Sequence, residues 1–383
     1  MVEAVRALGP TILAAADDIE ANRRLPGSLV AALDDAGAYA MYVPASVGGA
    51  EVHPLTAMLV TEELARHDPS TGWCVQVSAA VTSFLAWIDP TGLAQLVDAV
   101  PAVRLAGSAR PLGTAREVEG GFEVSGHWNY VSGVRDATLV LASAVLEPRQ
   151  GDPPLARSMF LPVTDGTVVA NWDVMGMCGT GSDDFVLDGV FVPDERVGYK
   201  RWIDQRDERL YDPRLAMVAA WAPTVGVACG TARGAIEELV ALGETSTTMS
   251  TDALRDRPAV QDAIGEAQAL AGSARAFVVD AIGAAWDALE LGAGDLGRRT
   301  AEAQLAITHA LRTAVTVADL CFHAAGTSAI STGYRLQRFL RDAHTAVQHA
   351  AGHRDHFRTG GRSVLGLDAG TMDLRVGDRP GAR

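Results

Sequence analysis

The spacing of apolar residues changes twice along the chain, and this feature constrains the fold more than any other. Over residues 1–100, Ala, Leu and Val recur at helical spacing, interrupted by Pro, Gly and Asp. Residues 101–212 carry short β-rich runs, such as 121–125 and 139–143, separated by turn residues. The helical period returns over 213–383. This order predicts an α+β chain with an N-terminal helical domain, a central antiparallel β-barrel or sandwich and a C-terminal helical bundle.

Two patterns in the C-terminal part predict how its helices pack. One is an apolar stripe at helical spacing, which must face a packed partner. Its members are Ile307, Leu311, Ala314, Val315, Ala318 and Phe322. The other consists of Gly226, Gly230 and Gly234, which recur every four residues inside a helical stretch and predict close helix contact. Long apolar helices of this kind usually form a bundle and often an oligomer interface.

Composition excludes several classes of function. The 383 residues include 32 Lys+Arg and 47 Asp+Glu, a formal net charge of −15, and such a surface repels the phosphates of nucleic acids. No apolar run approaches the roughly 18 residues of a membrane span. Glu3, Arg6 and Asp17 stand where a signal peptide would be apolar. We therefore expect a cytoplasmic protein without nucleic-acid or membrane partners, whose four scattered cysteines are reduced thiols.

The sequence lacks the motifs of several common active sites. No glycine-rich turn links a strand to a helix, so no nicotinamide site is predicted. The nucleotide-binding P-loop, the GxSxG motif and the HExxH motif are also missing, which removes most support for kinases and hydrolases. His349 and His353 stand one helical turn apart, but carboxylates at matching spacing are lacking, and we predict no metal site.

Four segments together resemble one family of flavoproteins. They are RLP at 24–26, GHWNYVSG at 126–133, GMCGTGSD at 176–183 and QRFLRD at 337–342. In sequence and order they resemble the acyl-CoA dehydrogenase superfamily, whose layout is a helical domain, a β-domain and a four-helix bundle. Segment 176–183 resembles the branch of flavin-dependent monooxygenases that includes two-component phenol and steroid hydroxylases, dibenzothiophene monooxygenase and amino-sugar N-oxygenases. The resemblance implies a flavin cofactor.

The residues after the last motif distinguish the two branches. Dehydrogenases of this fold commonly place a glutamate base shortly after the Arg-Asp pair, whereas this chain has His349 and Ala350 eight and nine residues beyond Arg341. Loss of a general base typically lowers the rate by about 10²–10⁴-fold. In the monooxygenases, reduced flavin and O2 form a C4a-hydroperoxide. The resemblance implies that His349 exchanges a proton with this adduct or with the substrate.

The same resemblance implies several flavin contacts. Tyr130 is expected against the isoalloxazine ring, and the hydroxyl of Ser132 near flavin N5 or O4, where it would have a catalytic role by slowing premature loss of peroxide. Strand alternation predicts that Trp128 shares a face with these two residues and contacts the cofactor. Ser108 lies in segment 105–110, which resembles the stretch that passes along the flavin edge.

Four residues are expected to border the substrate: Trp73, Val81, Asn129 and Cys178. Val81 stands where the phenol hydroxylases of this branch tend to carry a histidine, and Cys178 where they commonly carry an arginine. An apolar pocket with fewer charges predicts a neutral or nitrogen-containing ring system, such as an indole-like or polycyclic metabolite.

These inferences predict the oxygenase component of a two-component monooxygenase. FADH2 or FMNH2 would come from a separate NAD(P)H:flavin reductase, O2 would be the co-substrate, and a small aromatic or polycyclic molecule would be hydroxylated. The fold implies a homotetramer, with a dimer as the other option, and Gln261 and Arg338 would contact the cofactor across a subunit interface. The alternatives are an acyl thioester dehydrogenase, an N-hydroxylase of an amino substrate and a non-catalytic flavin-fold binding protein.

Overall fold

Helices form both ends of the chain and a sheet forms its middle. The computed structural model describes residues 1–147, 155–203, 208–245, 253–292 and 294–370. The N-terminal helices are α1 (Val2–Ala7), α2 (Gly9–Asn22), α3 (Gly27–Asp35), α4 (Pro54–His67), α5 (Pro69–Thr82) and α6 (Pro90–Asp98). Between α4 and α5, Asp68 caps the start of α5 by accepting hydrogen bonds from the Thr71 amide and hydroxyl, each at 2.7 Å.

The central part is a six-stranded mixed sheet. Its strands are β1 (Leu105–Val118), β2 (Gly121–Trp128), β3 (Leu139–Leu146), β4 (Ala156–Pro162), β5 (Thr167–Val169) and β6 (Asp184–Pro193), in the order β4-β3-β1-β2-β6-β5. The three-part layout is confirmed, but the strand pairing differs from the predicted antiparallel barrel or sandwich, since β1 and β3 are parallel. The reason is that residues 129–138 carry the chain back beside β1 rather than into a hairpin with β2.

Long helices form the C-terminal part. After the short α7 (Lys200–Ile203) come α8 (Ala216–Thr245), α9 (Pro258–Glu290), α10 (Leu296–Ala325), α11 (Leu336–Ala346) and α12 (Asp355–Val364). The predicted stripe lies on α10, and all of its members are buried except Val315 and Phe322, which are partly exposed. The prediction that this stripe faces a packed partner is therefore confirmed.

Three glycines allow α8 to approach α4 closely. A Cβ atom on Gly226, Gly230 or Gly234 would stand 2.2, 2.3 or 2.5 Å from a backbone carbonyl oxygen of α4. The prediction of close helix contact is confirmed, because no larger residue fits at these positions without moving the backbone. This contact fixes α4, and with it α5, against the C-terminal bundle.

Two segments are long and apolar enough to cross a membrane by length and composition alone. They are Pro258–Glu290 and Leu296–Ile330, and 28% and 56% of their most apolar windows are buried within the chain. The core helices of a bundle meet the same criterion, so length and composition do not distinguish a membrane-spanning helix from a bundle helix. The lower burial of α9 leaves one of its faces open in the single chain.

Candidate active site

Residues from all three parts of the chain meet in one cluster. Trp73 lies on α5, Ser132 follows β2, and His349 follows α11. The indole Nε1–H of Trp73 donates a hydrogen bond to the Ser132 hydroxyl at 3.2 Å. The His349 ring meets the Trp73 ring edge-on, with the ring centroids 5.5 Å apart. Three residues predicted for the site are thus brought together by packing between the N-terminal helices, the sheet and the bundle.

A chain of hydroxyl groups extends from Ser132 into the protein. The Ser132 and Ser182 oxygens are 2.7 Å apart, and those of Ser182 and Thr180 are also 2.7 Å apart. The chain ends where the Thr180 hydroxyl donates to the carbonyl oxygen of Met177 at 2.8 Å. All three hydroxyl residues are buried, at 5% exposure or less. Sequence reasoning missed Thr180 and Ser182, although both lie in the quoted segment 176–183.

A buried carboxylate holds this part of the site in shape. The side chain of Asp183 is fully buried and accepts hydrogen bonds from the Arg135 guanidinium and from the amides of Asn171 and Trp172. Burial alone would raise the pKa of Asp183, but these donors outweigh it and hold the pKa below its ordinary value. Asp183 is therefore charged, and it fixes the backbone that carries Ser182.

Two non-glycine residues near the cluster have left-handed backbone, with φ of 60° at Tyr130 and 55° at Met177. Such conformations are uncommon and concentrate at functional sites. At Tyr130 the strand alternation breaks, so this side chain is 63% exposed while Trp128 is 1% exposed. The prediction that Trp128 shares a face with Tyr130 and contacts the cofactor is wrong. Its ring lies in the sheet core, and its indole N–H donates to the Ser143 carbonyl at 2.9 Å.

Met177 is held in place by a carboxylate from the bundle. Its amide donates to Oδ1 of Asp342 on α11. Asp342 is 1% exposed, and within the described residues its Oδ2 atom has no hydrogen-bond partner. Burial raises the pKa of Asp342 to about 7. This contact links the end of the hydroxyl chain to the helix that precedes His349.

His349 does not lie on a helix. We expected His349 and His353 to stand one turn apart on a helix, but α11 ends at Ala346 and His349 instead starts a 3₁₀ turn over Ala350–Gly352. Its Nδ1 atom accepts a hydrogen bond from the Ala351 amide at 3.2 Å, so a neutral ring carries its proton on Nε2. Burial lowers the pKa of His349 to about 4. At neutral pH the side chain therefore offers an Nε2–H donor.

The exposed end of the sheet lies beside Tyr130. The pairing of β1 with β3 is interrupted between Ser108 and Gly113, which leaves residues 109–112 outside the β1–β3 register. Arg110 connects this segment to Asn129 through a 3.2 Å hydrogen bond, and its amide donates to the Ser108 hydroxyl at 3.3 Å. Ser108 and Asn129 are thus joined through Arg110, next to the exposed tyrosine.

On α5 the structure identifies two residues that the sequence analysis missed. Every residue of α5 is buried except Val77 and Ala80, which are partly exposed. They lie four and seven positions after Trp73 and share its face of the helix. Val81, by contrast, is 6% exposed and packs within the N-terminal core, so its predicted place beside the substrate stays a prediction that this burial does not support.

Cys178 is 7% exposed, and its thiol donates to the Val174 carbonyl at 3.4 Å. Burial raises the pKa of this thiol. The Arg341 guanidinium of α11 also lies 3.9 Å from its sulfur, and among the described residues no hydrogen bond links Cys178 to Trp73 or Ser132.

The two residues predicted to contact the cofactor across a subunit interface have separate positions. Arg338 is 7% exposed and forms ion pairs with Asp17 at 2.9 Å and Glu20 at 3.6 Å. It joins α11 to α2, and its contact with the cofactor stays a prediction. Gln261 lies exposed near the start of α9, where its amide donates to the Arg255 carbonyl at 3.0 Å. Its contact with a partner's cofactor stays a prediction.

The cluster suits the polar edge of a flat, fused ring such as a flavin. The cluster and its neighbours together present an exposed aromatic ring at Tyr130, the hydroxyl of Ser132 and residues 109–112, which lie outside the β1–β3 register. Trp172 meets Tyr130 edge-on, with the ring centroids 6.1 Å apart, and extends the aromatic surface. Among the described residues, no group of three or more His, Cys, Asp or Glu side chains is placed to hold a metal ion.

Comparison with known proteins identifies the family. Residues 1–88 match the model of the acyl-CoA dehydrogenase N-terminal domain, and residues 223–354 match that of the C-terminal domain. Indole-3-acetate monooxygenase of Pseudomonas putida is 31% identical over 337 residues, covering 87% of this chain and 85% of that protein. The chain belongs to the flavin-dependent monooxygenases of the acyl-CoA dehydrogenase superfamily.

Solved structures agree with this assignment. The 3-HSA hydroxylase from Rhodococcus sp. RHA1 superposes with a TM-score of 0.86 at 25% identity, covering 95% of this chain and 96% of that one. XiaF from Streptomyces sp., solved in complex with FADH2 and glycerol, gives a TM-score of 0.85 at 26% identity and covers 97% and 96%. This monooxygenase is therefore an enzyme that uses reduced flavin and O2, and the non-catalytic alternative is set aside.

Proposed function

We propose that this monooxygenase hydroxylates a small aromatic or polycyclic, indole-like compound. The observation that carries the proposal is the neutral His349, whose ring meets Trp73 edge-on and offers an Nε2–H donor at the cluster. Ala350, the next residue, is no carboxylate either, so the proton acceptor that a thioester dehydrogenase needs is missing at both positions. The indole-3-acetate monooxygenase relative supports the aromatic, indole-like substrate class.

Each residue of the cluster has a role in the proposed reaction. Reduced flavin supplies the electrons that activate O2 for transfer of one oxygen atom. Ser132 would contact the polar edge of a bound flavin, and Tyr130 would cover one side of its ring. Trp73, with Val77 and Ala80 on the same helix face, forms an apolar wall that excludes water from the substrate. This wall favours a flat apolar ring over a charged chain.

His349 acts as a hydrogen-bond donor in this proposal. Its Nδ1 lone pair is used by the Ala351 amide, so the ring accepts a second proton only by losing that bond. The Nε2–H is therefore available to stabilise negative charge that develops on an oxygen atom during transfer. A single preorganised donor of this kind contributes about 10²–10³-fold to the rate.

Reduced flavin reaches the enzyme from a separate flavin reductase. We further propose that the enzyme is a homotetramer whose subunits meet along α9. The face of α9 that includes Gly265, Ala269, Gly272 and Ala276 is exposed in the single chain. Among the described residues, no atom beyond the adjacent helix backbone lies within 4 Å of where a Cβ on either glycine would stand. Small residues at this spacing allow close approach of a second helix. Light scattering after size-exclusion chromatography tests the tetramer.

The substrate class is tested by a panel assay with purified enzyme, a flavin reductase, NADH and FAD or FMN. The panel contains indole-3-acetate, indole, a phenol and butyryl-CoA as the thioester control. We expect a product 16 mass units heavier from an indole or other aromatic compound, and no enoyl product from butyryl-CoA. Turnover of butyryl-CoA without oxygen incorporation would contradict the proposal.

A further inference from the structure

The direction of the hydrogen bonds between Ser132, Ser182 and Thr180 follows from their geometry. A carbonyl oxygen has no proton, so the 2.8 Å contact between Thr180 Oγ1 and the Met177 carbonyl is a hydrogen bond only if Thr180 donates. With its proton used there, Thr180 can only accept from Ser182 across their 2.7 Å contact. Ser182 in turn can only accept from Ser132, again at 2.7 Å.

The hydroxyl proton of Ser132 is therefore directed inward, away from the exposed side of the cluster. One lone pair of Ser132 accepts from the indole N–H of Trp73 at 3.2 Å. A hydroxyl oxygen has two lone pairs, so one remains free. In this arrangement Ser132 presents a hydrogen-bond acceptor and not a donor. The reverse direction would turn the Thr180 contact with the Met177 carbonyl into a repulsion between two oxygen atoms.

We propose that Ser182 and Thr180 make the site selective for reduced over oxidised flavin by fixing Ser132 as an acceptor. The N5 atom of reduced flavin carries a hydrogen, whereas N5 of oxidised flavin has only a lone pair. An acceptor at Ser132 complements the first and repels the second. This inference rests on the proposed function, which places Ser132 at the polar edge of the flavin.

Selectivity of this kind suits an enzyme that receives reduced flavin and does not itself reduce it. Oxidised flavin, left after each turnover, competes for the same site. A site that binds it less tightly releases it for reduction elsewhere. Ser182 and Thr180 are positioning residues, since they are 4% and 1% exposed and act through Ser132.

The test measures the ratio of two dissociation constants, Kd for oxidised flavin divided by Kd for reduced flavin. Fluorescence titration gives the first, and anaerobic titration with dithionite-reduced flavin gives the second. In Ser182→Ala and Thr180→Val the Ser132 proton is free to turn outward, and we expect the ratio to fall several-fold, the size of one hydrogen bond. A tenfold fall would lower the midpoint potential of bound flavin by about 30 mV.

Two further variants separate the possible outcomes. Ser78→Ala removes a buried hydroxyl that is not part of the Ser132–Ser182–Thr180 series and that accepts a hydrogen bond from the Leu105 amide. We expect it to leave the ratio unchanged. Ser132→Ala removes the acceptor itself and should lower the ratio as well. If Ser132→Ala changes the ratio but Ser182→Ala and Thr180→Val do not, the inference is overturned while the placement of Ser132 stands. If Ser132→Ala has no effect, that placement and the inference both fail.

Discussion

Replacing His349 separates its chemical role from its structural one. In the structure, Nδ1 of His349 accepts a hydrogen bond from the Ala351 amide at 3.2 Å, and Nε2 of the neutral ring carries the proton. Asn at the same position keeps an oxygen that caps Ala351, and Asn is a favoured residue at the start of a helical turn. His349→Asn therefore retains the cap and removes the Nε2–H donor. We expect the coupled hydroxylation rate to fall by about 10²–10³-fold, the value of one preorganised donor.

Two companion variants complete the experiment. His349→Ala loses both the donor and the cap, so its free energy of unfolding should be about 0.5–2 kcal/mol lower than that of His349→Asn. His349→Gln places an amide N–H near the position of Nε2 and should recover part of the rate. Product is quantified by mass spectrometry, H2O2 by a peroxidase assay and stability by thermal unfolding. Equal activity of the Asn and wild-type enzymes would refute the donor role.

The pH profile gives an independent test of the same residue. Because burial lowers the pKa of His349 to about 4, the ring stays neutral in the folded enzyme well below its ordinary pKa of 6.5. Activity that depends on the neutral ring should be constant from pH 8 to about 5 and fall only near pH 4. The contribution of His349 to stability is present above pH 6.5 and is lost as the pH falls towards 4. A loss of activity centred near pH 6.5, removed in His349→Asn, would contradict this.

Three other changes have defined outcomes. Ser132→Ala should raise the H2O2 released per O2 several-fold at similar stability, since one hydrogen bond of about 0.5–1.5 kcal/mol is lost. Gly230→Ala should lower the free energy of unfolding by about 1–3 kcal/mol, because its Cβ would stand 2.3 Å from the Glu62 carbonyl, whereas Gly361→Ala meets open space and should not. The folded-state pKa of Asp342 is raised to about 7, so the stabilisation that its protonated form contributes is lost as the pH rises from 4 to 7. The melting temperature of Asp342→Asn should therefore rise relative to that of wild type over this range.

Parts of the fold follow from sequence because they depend on local spacing. Gly226, Gly230 and Gly234 lie on one helix face whatever helix packs against them, so close packing could be inferred before the partner helix was known. The stripe on α10 is predictable for the same reason. The parallel pairing of β1 and β3 was not, since alternation along a strand is the same for parallel and antiparallel neighbours.

The site was harder to predict because it depends on breaks in regular structure. Alternation placed Trp128 beside Tyr130, but the left-handed backbone at Tyr130 reverses the direction of the side chain. Helical spacing placed His349 and His353 one turn apart on a helix, but α11 ends three residues before His349. Both breaks are stabilised by contacts with distant segments. The roles of Ser182 and Thr180 depend on their contacts with Ser132 and Met177, which the sequence does not show.

Transfer of an oxygen atom from O2 to an aromatic substrate is the central claim, and isotope labelling tests it most directly. The enzyme is mixed anaerobically with chemically reduced flavin and an indole or other aromatic compound, and then exposed to ¹⁸O2 without any reductase. We expect product that contains one ¹⁸O atom, formed in a single turnover and strongly reduced in His349→Asn. Reoxidation of the flavin with only labelled H2O2 across the aromatic panel, or a product that takes its oxygen from water, would contradict it.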